Sequence, residues 1–157
     1  MPSNTLSRVL SVDDDPDACE MLSFLLKPQR IEVTCARSAA EACPLIKAKC
    51  FDLYLLDAWL PRLDGFEFCG QIRELDSITP IPFYSGAAYE TDKQKGMAAG
   101  ANAYVIKPDF DGLIETITNL IAKARVADVA ARWVVNERRP ADYSHSAQFF
   151  SVQTSRN

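Results

Sequence analysis

Five short apolar runs, each stopping at a polar or charged residue and each followed by a helix-forming stretch, constrain this chain more than any other feature. Arg8–Asp13 reads RVLSVD and ends in acids, and Asp15-Pro16 then supplies an acidic cap followed by proline at the first helical position. Ala18, Met21, Leu22, Leu25 and Leu26 share one face of the helix that this start predicts, and Pro28 closes it. Ile31–Ala36 is the second strand. Ser38 caps a helix carrying Ala39, Ala42, Leu45 and Ile46, with Glu41 in the capping-box position; Pro44 inside it predicts a bend or a late start. Phe51–Leu56 is the third strand and ends at Asp57. The turn residues Pro61 and Gly65, with Asp64 as a local cap, lead to a helix bearing Phe66, Cys69, Ile72 and Leu75. Ile81–Tyr84 ends at Ser85-Gly86, a short helix Glu90–Ala99 stops at Gly100, and Ala103–Ile106 ends at Lys107-Pro108 before a last helix from about Asp111. Strict alternation of strand and helix predicts an α/β fold, a parallel sheet with helices on both faces.

In such a sheet, ligands sit beyond the carboxyl ends of the strands. Asp13 and Asp14 follow strand one, Asp57 strand three, Ser85 strand four and Lys107 strand five, so all five are expected at one edge. Three carboxylates crowded together repel unless a divalent cation joins them, and an all-oxygen set with phosphate nearby selects Mg²⁺. Asp57 could then attack phosphorus as a carboxylate nucleophile, while Lys107 and Ser85 neutralise or hydrogen-bond the phosphoryl oxygens. Taken singly, Asp13-Asp14 reads as a solvated turn and Lys107 as a surface lysine. Only their convergence changes that.

The runs V-D-D-D-P, D-A-W-L-P-R-L-D-G, Y-S-G-A and Y-V-I-K-P resemble the receiver domains of two-component response regulators over roughly residues 6–122. The resemblance implies a flavodoxin-like, doubly wound five-stranded sheet of order 2-1-3-4-5. It implies Asp57 as phosphoacceptor, Asp13 and Asp14 as the acidic pair with Asp14 the direct metal ligand, and the Trp59 carbonyl as a further ligand. Ser85 takes the place of the family's hydroxyl residue, Lys107 of its lysine and Tyr104 of its aromatic switch, with a packed core tyrosine as the lesser alternative for Tyr104. The Lys107-Pro108 bond is usually cis in that family. Trp59, bulky beside the acceptor, and Gly86, where alanine is commoner, are departures. The implied partners are a histidine kinase or phosphotransfer protein and an unknown downstream protein.

Composition sets the remaining bounds. A formal charge of −4 argues against broad nucleic-acid binding, and no apolar run is long enough for a membrane span. The five cysteines lack CxxC spacing and histidine co-ligands, which predicts buried free thiols in a cytoplasmic protein without a leader. Leu113, Ile117, Leu120, Ile121, Ala124, Ala131 and Val134 or Val135 predict one long amphipathic helix ended by Pro140. The expected organisation is a receiver at 6–122, a helix extension at 123–139 and a polar, mobile tail at 140–157 containing a solvated His145. The extension is either a solvated helix end or a docking surface through which a homodimer could form. The tail is too short for a DNA-binding output domain. Two competing functions carry testable differences. A haloacid-dehalogenase-like, Mg²⁺-dependent phosphotransferase needs a second acid two residues after the nucleophile, where this chain has Trp59, and a degenerate scaffolding receiver would not bind Mg²⁺.

Overall fold

In a computed structural model, residues 4–137 are described; the tail 140–157 with His145, the helix stop at Pro140 and the side chain of Val135 lie outside them. The strands are β1 (Ser7–Val12), β2 (Ile31–Ala36), β3 (Leu53–Leu56), β4 (Pro82–Ser85) and β5 (Ala103–Ile106). The helices are α1 (Pro16–Leu26), α2 (Ala39–Ala48), α3 (Gly65–Leu75), α4 (Glu90–Ala99) and α5 (Phe110–Glu137), with a 3-10 turn at Lys27–Gln29. All strand pairs are parallel and the order is β2-β1-β3-β4-β5, as the resemblance implied.

Successive strand residues face opposite sides of a sheet, and the cores follow that rule. Leu10, Val12, Tyr54, Leu56 and Phe83 join one apolar cluster, together with Phe68, Cys69 and Ile72 of α3. Their sequence neighbours Val9, Leu53, Leu55 and Tyr84 join the other, together with Leu22 and Leu26 of α1 and Leu113, Ile117 and Ile121 of α5. Each such side chain, fully buried, contributes about 1.5–3 kcal/mol. The helix starts are as the side chains predict: Asp15 accepts from Asp17 N–H, Ser38 from Glu41 N–H and Asp64 from Glu67 N–H.

Four expectations need correction. No late start occurs in α2: the helix begins directly after Ser38 and passes through Pro44. Proline there removes a bond to the carbonyl of Ala40, an exposed residue whose oxygen water can reach. Leu75 is 61% exposed, because the buried stripe of the helix runs through Gly65, Phe68, Cys69 and Ile72. Cys19 and Cys35 are paired in a disulfide with Cα atoms 6.1 Å apart. Of the others, Cys43 is half-buried, Cys50 exposed and only Cys69 buried, so buried free thiols describe one residue of five.

Asp76 organises the amino-terminal side of the sheet, opposite the carboxyl ends of the strands. Tyr54 Oη donates to it at 3.0 Å and Thr79 Oγ1 at 2.6 Å, while the N–H groups of Ile78 and Thr79 bind its other oxygen. Burial, and then the Asp76 carboxylate, push the Tyr54 hydroxyl up to about 12. A pKa raised on folding stabilises the fold fully below the unfolded tyrosine value of about 10, and this contribution disappears as pH climbs through the folded value. Ultraviolet titration of tyrosinate should therefore show a late phase near pH 12 that Tyr54→Phe removes, and that variant should lose stability less steeply above pH 10.

Contacts divide the chain between Ala124 and Arg125. In the second unit Val126, Val129, Trp133 and Val134 are exposed, and Arg132 pairs with Asp128 at 3.2 Å. No helix among the described residues is long and apolar enough to cross a membrane.

Candidate functional site

The parallel sheet brings the predicted polar residues together. Asp57 follows β3 directly, with its backbone N–H on Val12 O at 3.0 Å, so the third strand carries it to the end of the first. Its carboxylate is buried, 7% exposed, and held on both oxygens. Oδ1 accepts from Ser85 Oγ at 2.7 Å and from Trp59 N–H at 3.2 Å, and Oδ2 accepts from Lys107 Nζ at 3.1 Å. Lys107 also binds Asp13 Oδ2 at 2.7 Å, bridging the two acids from β5.

Burial raises the Asp13 pKa, and Lys107 and the Asp15 N–H offset it only in part. For Lys107, burial alone would lower the ammonium pKa, but its contacts with Asp13 and Asp57 outweigh this and raise it, keeping the charge in place. Asp14 is exposed, and one oxygen each of Asp13, Asp14 and Asp57 lies within 4.8 Å of the others. That donor set is entirely carboxylate, which fits a hard divalent cation and suits a soft metal poorly.

The other predicted residues border this centre. The Trp59 indole is 64% exposed and lies by Gly86, where an added Cβ would be 3.6 Å from it. Ala87 N–H donates to Ser85 Oγ at 3.2 Å, and the Ala87 carbonyl accepts from Tyr104 Oη at 2.7 Å. The Tyr104 ring stacks on Phe83 with centroids 5.6 Å apart, so a packed tyrosine and a residue wired to Ser85 are both features of this ring. The Lys107-Pro108 peptide is cis.

Gly65 is the site residue that its turn-like sequence context conceals. A Cβ there would lie 2.0 Å from the Asp57 carbonyl oxygen and 2.8 Å from Ala58 Cα. Its N–H meanwhile donates to Ala58 O at 2.8 Å, so the start of α3 presses against the backbone that carries Asp57.

Residues 9–118 match the response regulator receiver domain family. The chain is 33% identical over 135 residues to the DNA-binding response regulator MtrA of Mycolicibacterium smegmatis, covering 86% of this chain and 54% of that protein. It is 38% identical over 101 residues to the transcriptional regulatory protein YvrH of Bacillus subtilis, covering 64% of this chain and 42% of that one. The chain thus spans about half the length of these curated relatives. Among solved structures, the chemotaxis response regulator CheY4 of Vibrio cholerae superposes with a TM-score of 0.68 at 30% identity, covering 74% of this chain and 99% of that one. With the matched segment filling more than half the sequence and the strand order agreeing, this chain belongs to the response regulator receiver family and contains the receiver domain of a two-component response regulator.

Proposed function

We propose that Asp57 accepts a phosphoryl group from a phosphohistidine donor, a histidine kinase or phosphotransfer protein, and that this switches a protein-binding face. Receiver domains are signalling switches, which supports self-modification of the chain over turnover of a free substrate. The carrying observation is the Asp57 carboxylate, buried yet bound by a hydroxyl, an amide and an ammonium, with two more acids beside it.

In this account an Asp57 oxygen attacks phosphorus and a P–O bond forms, while the P–N bond breaks and the imidazole, already protonated on its other nitrogen, departs neutral. Lys107 transfers one of its contacts from Asp57 to a phosphoryl oxygen, and Ser85 turns its hydroxyl from Asp57 Oδ1 to another. Asp13, Asp14, Asp57 and the Trp59 carbonyl would hold Mg²⁺, which supplies positive charge for the phosphoryl oxygens when bound. Ala87 is tied to Ser85 through its N–H and to Tyr104 through its carbonyl, so displacement of Ser85 pulls on both. The face built by α4, β5 and α5 would report the change.

The test is a titration with beryllofluoride and Mg²⁺ followed by Trp59 fluorescence in a Trp133→Phe background. A saturable change requiring both additives is expected; a folded protein giving none would contradict the assignment. Lys107→Ala should still accept phosphoryl groups from acetyl phosphate, at a rate reduced roughly 10-fold or more, while losing the accompanying fluorescence change. An unaltered change in that variant would remove Lys107 from the relay.

The proposed organisation is a receiver at 6–122, a helix extension at 123–139 and a tail at 140–157. The exposed side chains of Val126, Val129 and Trp133, spaced three and four residues apart, make a second copy of this chain the proposed partner for the extension. Sedimentation of the wild-type chain, with Trp133 intact, under the same additions reads that association. The scaffold alternative would be favoured by absent Mg²⁺ binding, and the phosphotransferase alternative by turnover of small phosphate esters.

A further inference from the structure

The Cys19–Cys35 pair has no part in the chemistry above, yet it lies against the segment carrying Asp13 and Asp14. Cys19 is in the first turn of α1, whose N-terminal cap is Asp15. Cys35 pairs in register with Ser11 of β1, and the adjacent Ala36 carbonyl accepts the Asp13 N–H at 3.0 Å. Asp15 N–H in turn donates to Asp13 Oδ1 at 3.0 Å. The sulfur bridge therefore closes a ring. One side is the ladder from Cys35 and Ala36 to Asp13; the other is the short run Asp13–Cys19. Both acids sit on that run, fixed at each end. Both cysteines are half-buried, so small thiol reagents can reach them.

We propose that Cys19 and Cys35 form a reversible thiol–disulfide site whose oxidised form holds the Asp13–Asp14 segment in its cation-binding arrangement, linking the redox state of the chain to divalent-cation affinity. This rests on the proposed divalent site. The oxidant is a low-molecular-weight disulfide. One cysteine thiolate attacks it and releases a small thiol, and the second cysteine attacks the resulting mixed disulfide and releases another. The protein loses two electrons and two protons and gains one S–S bond, while the reagent's S–S bond is reduced to two thiols. A dithiol reductant reverses each step. The energetic logic is preorganisation: a segment already fixed at both ends loses less conformational freedom when it binds a cation.

The experiment compares the chain oxidised with glutathione disulfide against the same chain reduced with dithiothreitol, with Mg²⁺ binding measured by calorimetry. Peptide mapping after thiol alkylation establishes which cysteines are joined. The oxidised protein should bind Mg²⁺ about threefold or more tightly than the reduced protein. Cys19→Ala and Cys35→Ala should bind with the affinity of reduced wild type under both conditions, keeping native circular dichroism. Equal affinity in the two wild-type states, with the bridge mapped, would overturn the clamp alone. Failure of the bridge to form under oxidation would also overturn it. Absence of Mg²⁺ binding in both states would overturn the cation site itself, and the clamp with it.

Discussion

Asp57→Asn is expected to reduce Mg²⁺-dependent phosphorylation by acetyl phosphate to background, a loss of at least about 100-fold, because the amide cannot act as the anionic nucleophile. The fold should survive. The substituted side chain retains an oxygen that can accept from Ser85 Oγ and the Trp59 N–H, the two donors that hold Oδ1. Its amide nitrogen would face Lys107 Nζ in place of an acceptor, but Lys107 keeps its shorter contact with Asp13 at 2.7 Å. Like-charge repulsion between positions 13 and 57, which helps to raise the Asp13 pKa, also disappears. The melting temperature should change by no more than a few degrees. A variant that melts like wild type and takes no label isolates chemistry from stability; labelling at the wild-type rate would place the acceptor elsewhere.

Gly65→Ala should have the second-largest effect, by a different route. Its methyl group would meet the backbone of Asp57 and Ala58, which cannot rotate away as a flexible side chain can. Either α3 withdraws from β3, opening the core around Phe68 and Cys69, or the segment after β3 moves and carries Asp57 away from Ser85 and Lys107. A cost of about 1–3 kcal/mol is typical of such overpacking, lowering the melting temperature by roughly 5–10 °C. Beryllofluoride affinity should fall even at temperatures where the variant remains folded. Gly70→Ala is the internal control. It lies in the same helix, with nothing within 4 Å of the added Cβ, and should be neutral or stabilise slightly. Similar melting temperatures for the two variants would mean that the close approach at Gly65 is easily relaxed.

These two glycines also mark where local pattern stops carrying information. Strand positions were readable because β1 to β5 are short apolar runs cut off by polar residues, and β2 and β5 fall at the expected residues. The juxtaposition of Asp13, Asp57, Ser85 and Lys107 was readable because parallel strands carry their carboxyl ends to one edge. Gly65 looked like any turn glycine, since its reason is the backbone of Asp57, distant enough in sequence to leave no periodic trace. Leu75 was misplaced because helical spacing alone does not say where a helix turns its stripe; Gly65, Phe68, Cys69 and Ile72 take the buried positions. The Cys19–Cys35 pairing depends on α1 lying across β2, and cysteine spacing alone left it unseen. Pro44 was read through its effect on an isolated helix, whereas α2 is held on the core by Ala39 and Ala42, three residues apart on one face of its first turn.

The most direct test is to phosphorylate the chain with acetyl phosphate and Mg²⁺, trap the product with borohydride and sequence the peptides by mass spectrometry. Borohydride reduces an aspartyl phosphate to homoserine, which marks the acceptor permanently. Homoserine at position 57 alone, and only when Mg²⁺ is present, is the expected result. No homoserine in folded protein, or homoserine at Asp13 or Asp14 with position 57 unchanged, would contradict Asp57 as the acceptor.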